Sequence, residues 1–334
     1  MSISLKNFQQ VYVHPSQFPQ KVYQDYIHSF ISKEINHKFH YDSVKQSQKW
    51  LKIHESYSPA RNTDDGMGCY QRCFQYTKDR IATNLDVDLI GLGCGGGEKD
   101  KSLLMELTGS YRNLIYYPVD VSLPLSLISA QKIKEHSSEV EVMPIVCDLL
   151  FADDLVSGIQ SEQGERSKII TFFGMIPNFL PHQILPILAK FIDHEDMLLM
   201  SANLSPGEDY LAGIDQVLSQ YDNDLTRDWL MTILLDIGIS QNDGEIRFSI
   251  KDDLIDPGLK RINAIFEVYR EIRLKIDDQP VLWQPGDQVQ LFFSYRYTSP
   301  KLETVLRQYQ LNLVEYWEGA DQEEGVYLIT KIDK

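Results

Sequence analysis

From Val87 onward, short apolar runs alternate with longer stretches whose apolar positions recur every three to four residues. Residues 88–93 predict a strand ending in glycines, and 99–111 a helix with Leu103, Leu104 and Leu107 on one face. Residues 113–122 predict a second strand, 123–136 a second helix, 141–149 a third strand and 167–175 a fourth. A helix over 182–192 and a fifth strand over 196–204 follow. Near-continuous apolar strands separated by helices predict a parallel sheet covered on both faces, an α/β fold.

The pattern differs on either side of this block. Residues 1–80 are polar and aromatic, with helical spacing over 22–35 and a loop over 54–68 punctuated by Pro59, Gly66 and Gly68. After the fifth strand, 210–221, 226–238 and 258–276 read as long helices, so the insertion is expected to be mainly α. Residues 300–310 then predict a helix, and 313–319 and 325–332 two strands close enough for an antiparallel hairpin. The expected division is 1–80 as an N-terminal helical part, 81–204 and 293–334 as the two parts of an α/β core, and 205–292 as a segment inserted between them. There is no internal repeat or low-complexity tract.

Composition refines this picture modestly. The chain has 334 residues, 43% of them hydrophobic and 24% charged, as in ordinary globular proteins. A net charge of -16 argues against nucleic acid and anionic membrane as partners, since phosphates are repelled. The first residues lack the basic-then-apolar order of a secretory leader, and no apolar run reaches about 18 residues, so a cytoplasmic protein is expected. Cys69, Cys73, Cys94 and Cys147 read as reduced thiols. Oligomeric state is not legible.

Candidate chemistry gathers where strands end. Gly91-Leu92-Gly93-Cys94-Gly95-Gly96-Gly97 follows the first strand and precedes a helix, a place where backbone approaches a ligand and the helix start favours negative charge. Such a turn alone also fits NAD, FAD or a plain tight turn, and the strict dinucleotide spacing is not met. Asp120 ends the second strand, where a carboxylate accepts from ribose hydroxyls, or caps the next helix. Asp148 ends the third, where it accepts from an adenine amino group while Leu149 packs on the ring, or it serves a turn. Asn178 lies just beyond the fourth strand. Three successive strands ending in this way favour a nucleoside cofactor at the sheet's carboxyl edge.

His37 and His40 have metal-like spacing but no further ligand nearby, and read as a solvated helix face. Cys69 and Cys73 read as ordinary thiols. Trp229, Trp283 and Trp317 read as core or interface, and Asp252-Asp253 and Asp277-Asp278 as exposed faces or caps.

The run from Gly91 to Asn203 resembles the histidine-specific Nα-methyltransferases of ergothioneine biosynthesis. The resemblance is carried by Gly93-Cys94-Gly95 with Lys99, by Tyr117-Pro118-Val119-Asp120-Val121-Ser122, by Asp148-Leu149, and by Ile176-Pro177-Asn178-Phe179-Leu180-Pro181. Tyr57-Ser58-Pro59-Ala60-Arg61 is similar to a further loop of that family. The resemblance implies a class I methyltransferase (Rossmann-like) core interrupted after strand five, with S-adenosylmethionine as cofactor, and a mainly α substrate lobe formed by 1–80 together with 205–292. It places Gly93, Gly95 and Lys99 along the cofactor's amino acid, Asp120 at the ribose, and Asp148 with Leu149 at the adenine. It gives Asn178 the substrate's amine and carboxylate, and Tyr57 a place in the substrate site.

One departure bears on substrate. Where the family grips imidazole with a Glu-x-Ser pair, this chain has Phe292 and Ser294. A phenyl ring in place of that carboxylate forfeits a charge-assisted hydrogen bond of about 1.5–3 kcal/mol. The family's substrate-lobe tyrosine has two candidates here, Tyr210 and Tyr221. The expectation is an S-adenosylmethionine-dependent N-methyltransferase for a small amine or amino acid with altered side-chain specificity. The alternatives are a genuine L-histidine Nα-methyltransferase, an NAD-dependent oxidoreductase, and a non-catalytic methyltransferase-like partner protein.

Overall fold

The computed structural model describes residues 9–57, 66–81, 85–163, 166–256, 258–276 and 278–332. Of the Tyr57–Arg61 motif, residues 58–61 lie outside the described residues, as does Asp277 of the second acidic pair. Among the described residues no helix is long and apolar enough to cross a membrane.

The central sheet is built from β1 (Tyr12–Val13), β2 (Leu85–Leu92), β3 (Tyr111–Asp120), β4 (Glu141–Val142), β5 (Ile145–Val146), β6 (Ser167–Phe173), β7 (Met197–Asn203), β13 (Leu311–Glu318) and β14 (Glu324–Lys331). Its order is β1-β5-β3-β2-β6-β7-β14-β13, with β4 also on β3. Every pairing from β1 to β7 is parallel. β14 enters antiparallel to β7 and forms the expected hairpin with β13. The expected third strand is split into β4 and β5 around Met143-Pro144, because proline has no N–H to give to a ladder.

Strand residues alternate between two apolar layers. Ile90, Leu92, Ile115, Val119, Ile170, Phe172, Leu198 and Met200 face one side, against α6 (Leu155–Gln163), α7 (Pro181–Phe191) and α10 (Ser299–Gln308). Val87, Leu89, Leu114, Tyr116, Ile169 and Leu199 face the other, against α3 (Gly66–Lys78), α4 (Glu98–Leu107) and α5 (Leu123–His136). The period of two thus survives inside runs that are apolar throughout.

A further apolar cluster joins the N-terminal segment to the insertion. It draws on α1 (Pro19–Ser32), the 3-10 turn His37–His40, α9 (Asp224–Asp236), β8 (Gly244–Asp252), β9 (Lys260–Val268), β11 (Gln279–Trp283) and β12 (Gln288–Arg296). α2 (Val44–Tyr57) and the short α8 (Tyr210–Gln216) flank it. Two sequence expectations fail here. The insertion is not mainly α: 258–276, read as a helix, forms β9 and β10 (Ile272–Ile276). β9 is the middle of an antiparallel β12-β9-β8 sheet, and β10 pairs with β11. Ile262, Ala264, Phe266 and Val268 are buried at every second position, which a helix cannot arrange. The boundary drawn between 292 and 293 also falls inside β12, a continuous strand.

Candidate active site

β2 ends on the glycine loop. Gly93, Gly95 and Gly97 take φ of 64°, 52° and 72°, a left-handed region that costs other residues energy. At Gly95 the need is also steric: a Cβ would stand 2.8 Å from the Trp50 ring. The loop is fastened to β3, because the Gly93 and Cys94 amides donate to the Val119 carbonyl (2.8 and 3.1 Å). Asp120 completes the fastening, accepting from Gly95 N (3.0 Å) through Oδ2 and from Ser122 N (2.9 Å) through Oδ1. Burial pushes its carboxyl up to about 6, against the lowering effect of these amide donors. Each oxygen keeps acceptor capacity toward the cavity that Asp120 lines.

Asp148 follows β5. Its Oδ1 caps the turn Leu149–Phe151 by accepting from Leu150 N (3.2 Å), and its own amide donates to Ser16 Oγ (2.9 Å). Its Oδ2 lies 3.2 Å from the Lys38 ammonium, which also meets Asp25 Oδ2 at 2.6 Å. Leu149, buried beside it, lines the same cavity. Lys99 stands on the opposite wall in a cluster with Glu324 (3.1 Å) and the Tyr70 hydroxyl, which in turn donates to Ser201 Oγ (2.7 Å). Asp100, next along α4, is fully enclosed and accepts from Tyr116 (2.6 Å) and Thr171 (2.7 Å). Burial raises its carboxyl despite those two donors.

The glycine loop, Asp120, Asp148, Leu149, Lys38 and Lys99 border one cavity of about 800 Å³ at the carboxyl edge of the sheet. Asn178 reaches it from the 3-10 turn Ile176–Asn178, half-buried, and its carboxamide makes no hydrogen bond among the described residues. Tyr57, the last residue of α2, lines it as well.

The far wall is β12, whose alternate residues Phe292, Ser294 and Arg296 line the cavity. Phe292 stacks on the His37 imidazole (centroids 4.8 Å, 22°) and meets Trp229 edge-on (5.6 Å, 69°). Ser294 Oγ shares a hydrogen bond with the Tyr221 hydroxyl (2.9 Å), which also accepts from Asn203 Nδ2 (3.3 Å). Of the two candidate tyrosines, Tyr221 is the one that borders the cavity. Tyr210 is bound to Arg296 O and Lys260 N and does not border it.

The histidine pair is not a solvated helix face. His37 and His40 pack against β12, and burial lowers them to about 3 and about 4, so both rings are neutral at physiological pH. No group able to hold a metal ion forms among the described residues. Trp229 and Trp283 are core residues as read. Asp253 is buried and accepts from Tyr295, contrary to an exposed face, while also capping Ile255 and Asp256. The four cysteines, all among the described residues, form no disulfide.

The structure thus brings Gly93, Gly95, Lys99, Asp120, Asp148, Leu149, Asn178, Tyr57, Phe292 and Ser294 around one space. Sequence reasoning missed Lys38, Trp50 and His37 as wall residues. The tight packing of Trp50 on Gly95, a contact between distant chain segments, adds to the left-handed backbone there a steric reason for glycine. The left-handed loop, the two carboxylates at strand ends and the apolar Leu149 between them fit an adenosine-bearing ligand.

Among solved structures, the chain is similar to the Burkholderia thailandensis 1,6-didemethyltoxoflavin-N1-methyltransferase with bound 1,6-didemethyltoxoflavin and S-adenosylhomocysteine (10% identity, 86% of this chain and 89% of that one, TM-score 0.42). It is also similar to magnesium protoporphyrin IX methyltransferase from Synechocystis with bound S-adenosylhomocysteine (9% identity, 88% and 97%, TM-score 0.41). A third similar structure is the CcbJ methyltransferase of Streptomyces caelestis (11% identity, 81% and 98%, TM-score 0.40). No protein of curated function matches by sequence. The profile of one family, described as histidine-specific methyltransferase, SAM-dependent, matches residues 32–331.

Proposed function

We infer, from the premise that this chain belongs to the histidine-specific, S-adenosylmethionine-dependent methyltransferase family, that its acceptor is the amine of a small amino acid or amine with an apolar or aromatic side chain. The observation that carries this reading is Phe292. It stands at the position of the family's imidazole-gripping carboxylate, and its ring neighbours are His37, whose Nε2 is taken by the Phe293 amide, and Trp229, whose N–H is taken by the His40 carbonyl. A free imidazole N–H placed there meets rings and no acceptor, whereas an apolar or aromatic side chain extends an existing ring cluster.

Bound S-adenosylmethionine supplies a sulfonium methyl that is electrophilic without activation by a protein nucleophile. The chain's work is therefore positioning, which converts an encounter into an in-line approach. Asp120, held by two amides, accepts from the ribose hydroxyls. Asp148 and Leu149 receive the adenine, and the Gly93–Gly95 backbone runs beside the amino-acid part with Lys99 nearby. Asn178, with its carboxamide uncommitted among the described residues, orients the acceptor amine, with Tyr57 beside it. The Ser294–Tyr221–Asn203 hydrogen bonds form a polar floor for the rest of the acceptor. We further propose the substrate-lobe division drawn from the sequence, with its last boundary moved past β12. A cytoplasmic location and no nucleic-acid partner are in keeping with the net charge of -16.

The test is methyl transfer from labelled S-adenosylmethionine to a panel of free amino acids and biogenic amines, read by mass spectrometry. Methylation of aromatic or apolar acceptors in preference to histidine is expected. Preferential methylation of histidine would refute the specificity reading while leaving the chemistry intact.

A further inference from the structure

The turn His37–His40 touches both halves of the cavity. On one side is Lys38, 5% exposed, with its ammonium held between Asp25 (2.6 Å) and Asp148 (3.2 Å). On the other side the turn grips β12. His37 Nε2 accepts from the Phe293 amide (3.3 Å) while its ring stacks on Phe292, and His40 Nε2 donates to the Leu291 carbonyl (2.7 Å). Three consecutive residues of the acceptor wall are thus fixed by the four residues that also fix Asp148. Trp229 joins the same assembly, since its indole N–H donates to the His40 carbonyl (2.8 Å).

The turn is stiff. Asn36 caps it by accepting from Lys38 N (3.1 Å), and Gln46 Nε2 donates to Phe39 O (2.5 Å). Lys38 and His37 are neighbours in a tight 3-10 turn, so a shift of one carries the other. Parting Lys38 from Asp148 also leaves buried charges less well compensated, which makes the connection costly to break.

We infer that Lys38 is a positioning residue that couples the two half-sites: by holding Asp148, it ties the seating of an adenosine group at the sheet edge to the placement of Phe292 and Phe293 in the acceptor wall. The inference rests on the reading above that Asp148 lies at the adenine. It differs from a merely structural ion pair in one respect. Occupying the nucleoside end must be felt at Trp229, which packs on the acceptor side of the turn.

The full chain labelled with 5-fluorotryptophan provides the measurement, with the Trp229 fluorine resonance assigned by Trp229→Phe. In the wild type, saturation with S-adenosylhomocysteine shifts the Trp229 resonance. In Lys38→Met, calorimetry shows S-adenosylhomocysteine binding about tenfold more weakly, the loss of one charged hydrogen-bond partner of Asp148. At saturation its Trp229 resonance stays in place. Lys38→Arg restores both in part. Asp25→Asn, which keeps the Lys38–Asp148 pair, retains the Trp229 shift.

A wild-type Trp229 resonance unmoved at saturation overturns the coupling without recourse to any variant. So does an undiminished shift in Lys38→Met, or a silent Asp25→Asn. Failure of the wild type to bind S-adenosylhomocysteine at all overturns instead the cofactor reading on which the inference stands. Should Lys38→Met fail to fold, the wild-type and Lys38→Arg spectra decide.

Discussion

The role proposed for Asp120 makes cofactor binding pH-dependent. Its folded carboxyl titrates at about 6 because burial outweighs the Gly95 and Ser122 amides that favour the anion. The unfolded value is near 3.9. The native state therefore binds the proton more tightly than the unfolded chain. Stability from this group is complete below about pH 4 and is lost as pH rises through about 6, a difference of about 3 kcal/mol. Ligand binding has the opposite sign, because only the ionised carboxylate accepts from two ribose hydroxyls without losing an amide partner. Affinity for S-adenosylhomocysteine is then expected to be about tenfold lower at pH 5 than at pH 7. The groups that face Asp120 do not obscure this window. Tyr41, Cys94 and Cys147 are all shifted upward by burial and stay neutral across it. Calorimetry from pH 5 to 7 on wild type and Asp120→Asn is the assay. The asparagine variant satisfies only one of the two amides, binds weakly and shows no slope from this residue. A flat wild-type profile, or an equal slope in Asp120→Asn, would refute the assignment.

Three further outcomes follow from the geometry. Asn178→Ala is expected to bind S-adenosylhomocysteine as the wild type does in calorimetry while losing methyl transfer, since the role proposed for its carboxamide concerns the acceptor alone. Gly95→Ala meets Trp50 at 2.8 Å with a φ of 52°, so S-adenosylhomocysteine affinity should fall at least tenfold with the fold intact by circular dichroism. Phe292→Ala removes a ring packed on His37 and Trp229, and urea unfolding should show a loss of about 3–5 kcal/mol.

The α/β core was legible because its signals are local. Strand, glycine turn and helix follow one another within a few residues, and Ser122 and Pro124 mark the start of α5 in the sequence itself. The insertion was not. Ile262, Ala264, Ile265, Phe266 and Val268 satisfy both a helical and an alternating pattern, and only pairing with β8 and β12 selects the strand. Asp120 and Asp148 could be placed at the cavity from sequence because each ends a strand. Lys38 and His37 were missed because their partners, Asp148 and β12, lie over a hundred positions away. A histidine pair read as a solvated face is reversed by burial that no window of sequence contains.

The joining of the N-terminal segment to the insertion also sets the order in which the protein is completed during synthesis. The Trp283 indole donates to the Phe30 carbonyl across 253 positions. At about 5–20 residues per second, α1 leaves the ribosome roughly 13 to 50 s before that partner exists. Phe30, Phe39 and their neighbours spend this interval without the surface that buries them, while the sheet is being laid down between. The β12 wall thus becomes possible only after the parallel strands β2 to β7 have been made, and the central sheet closes later still, when β14 arrives to pair with β7.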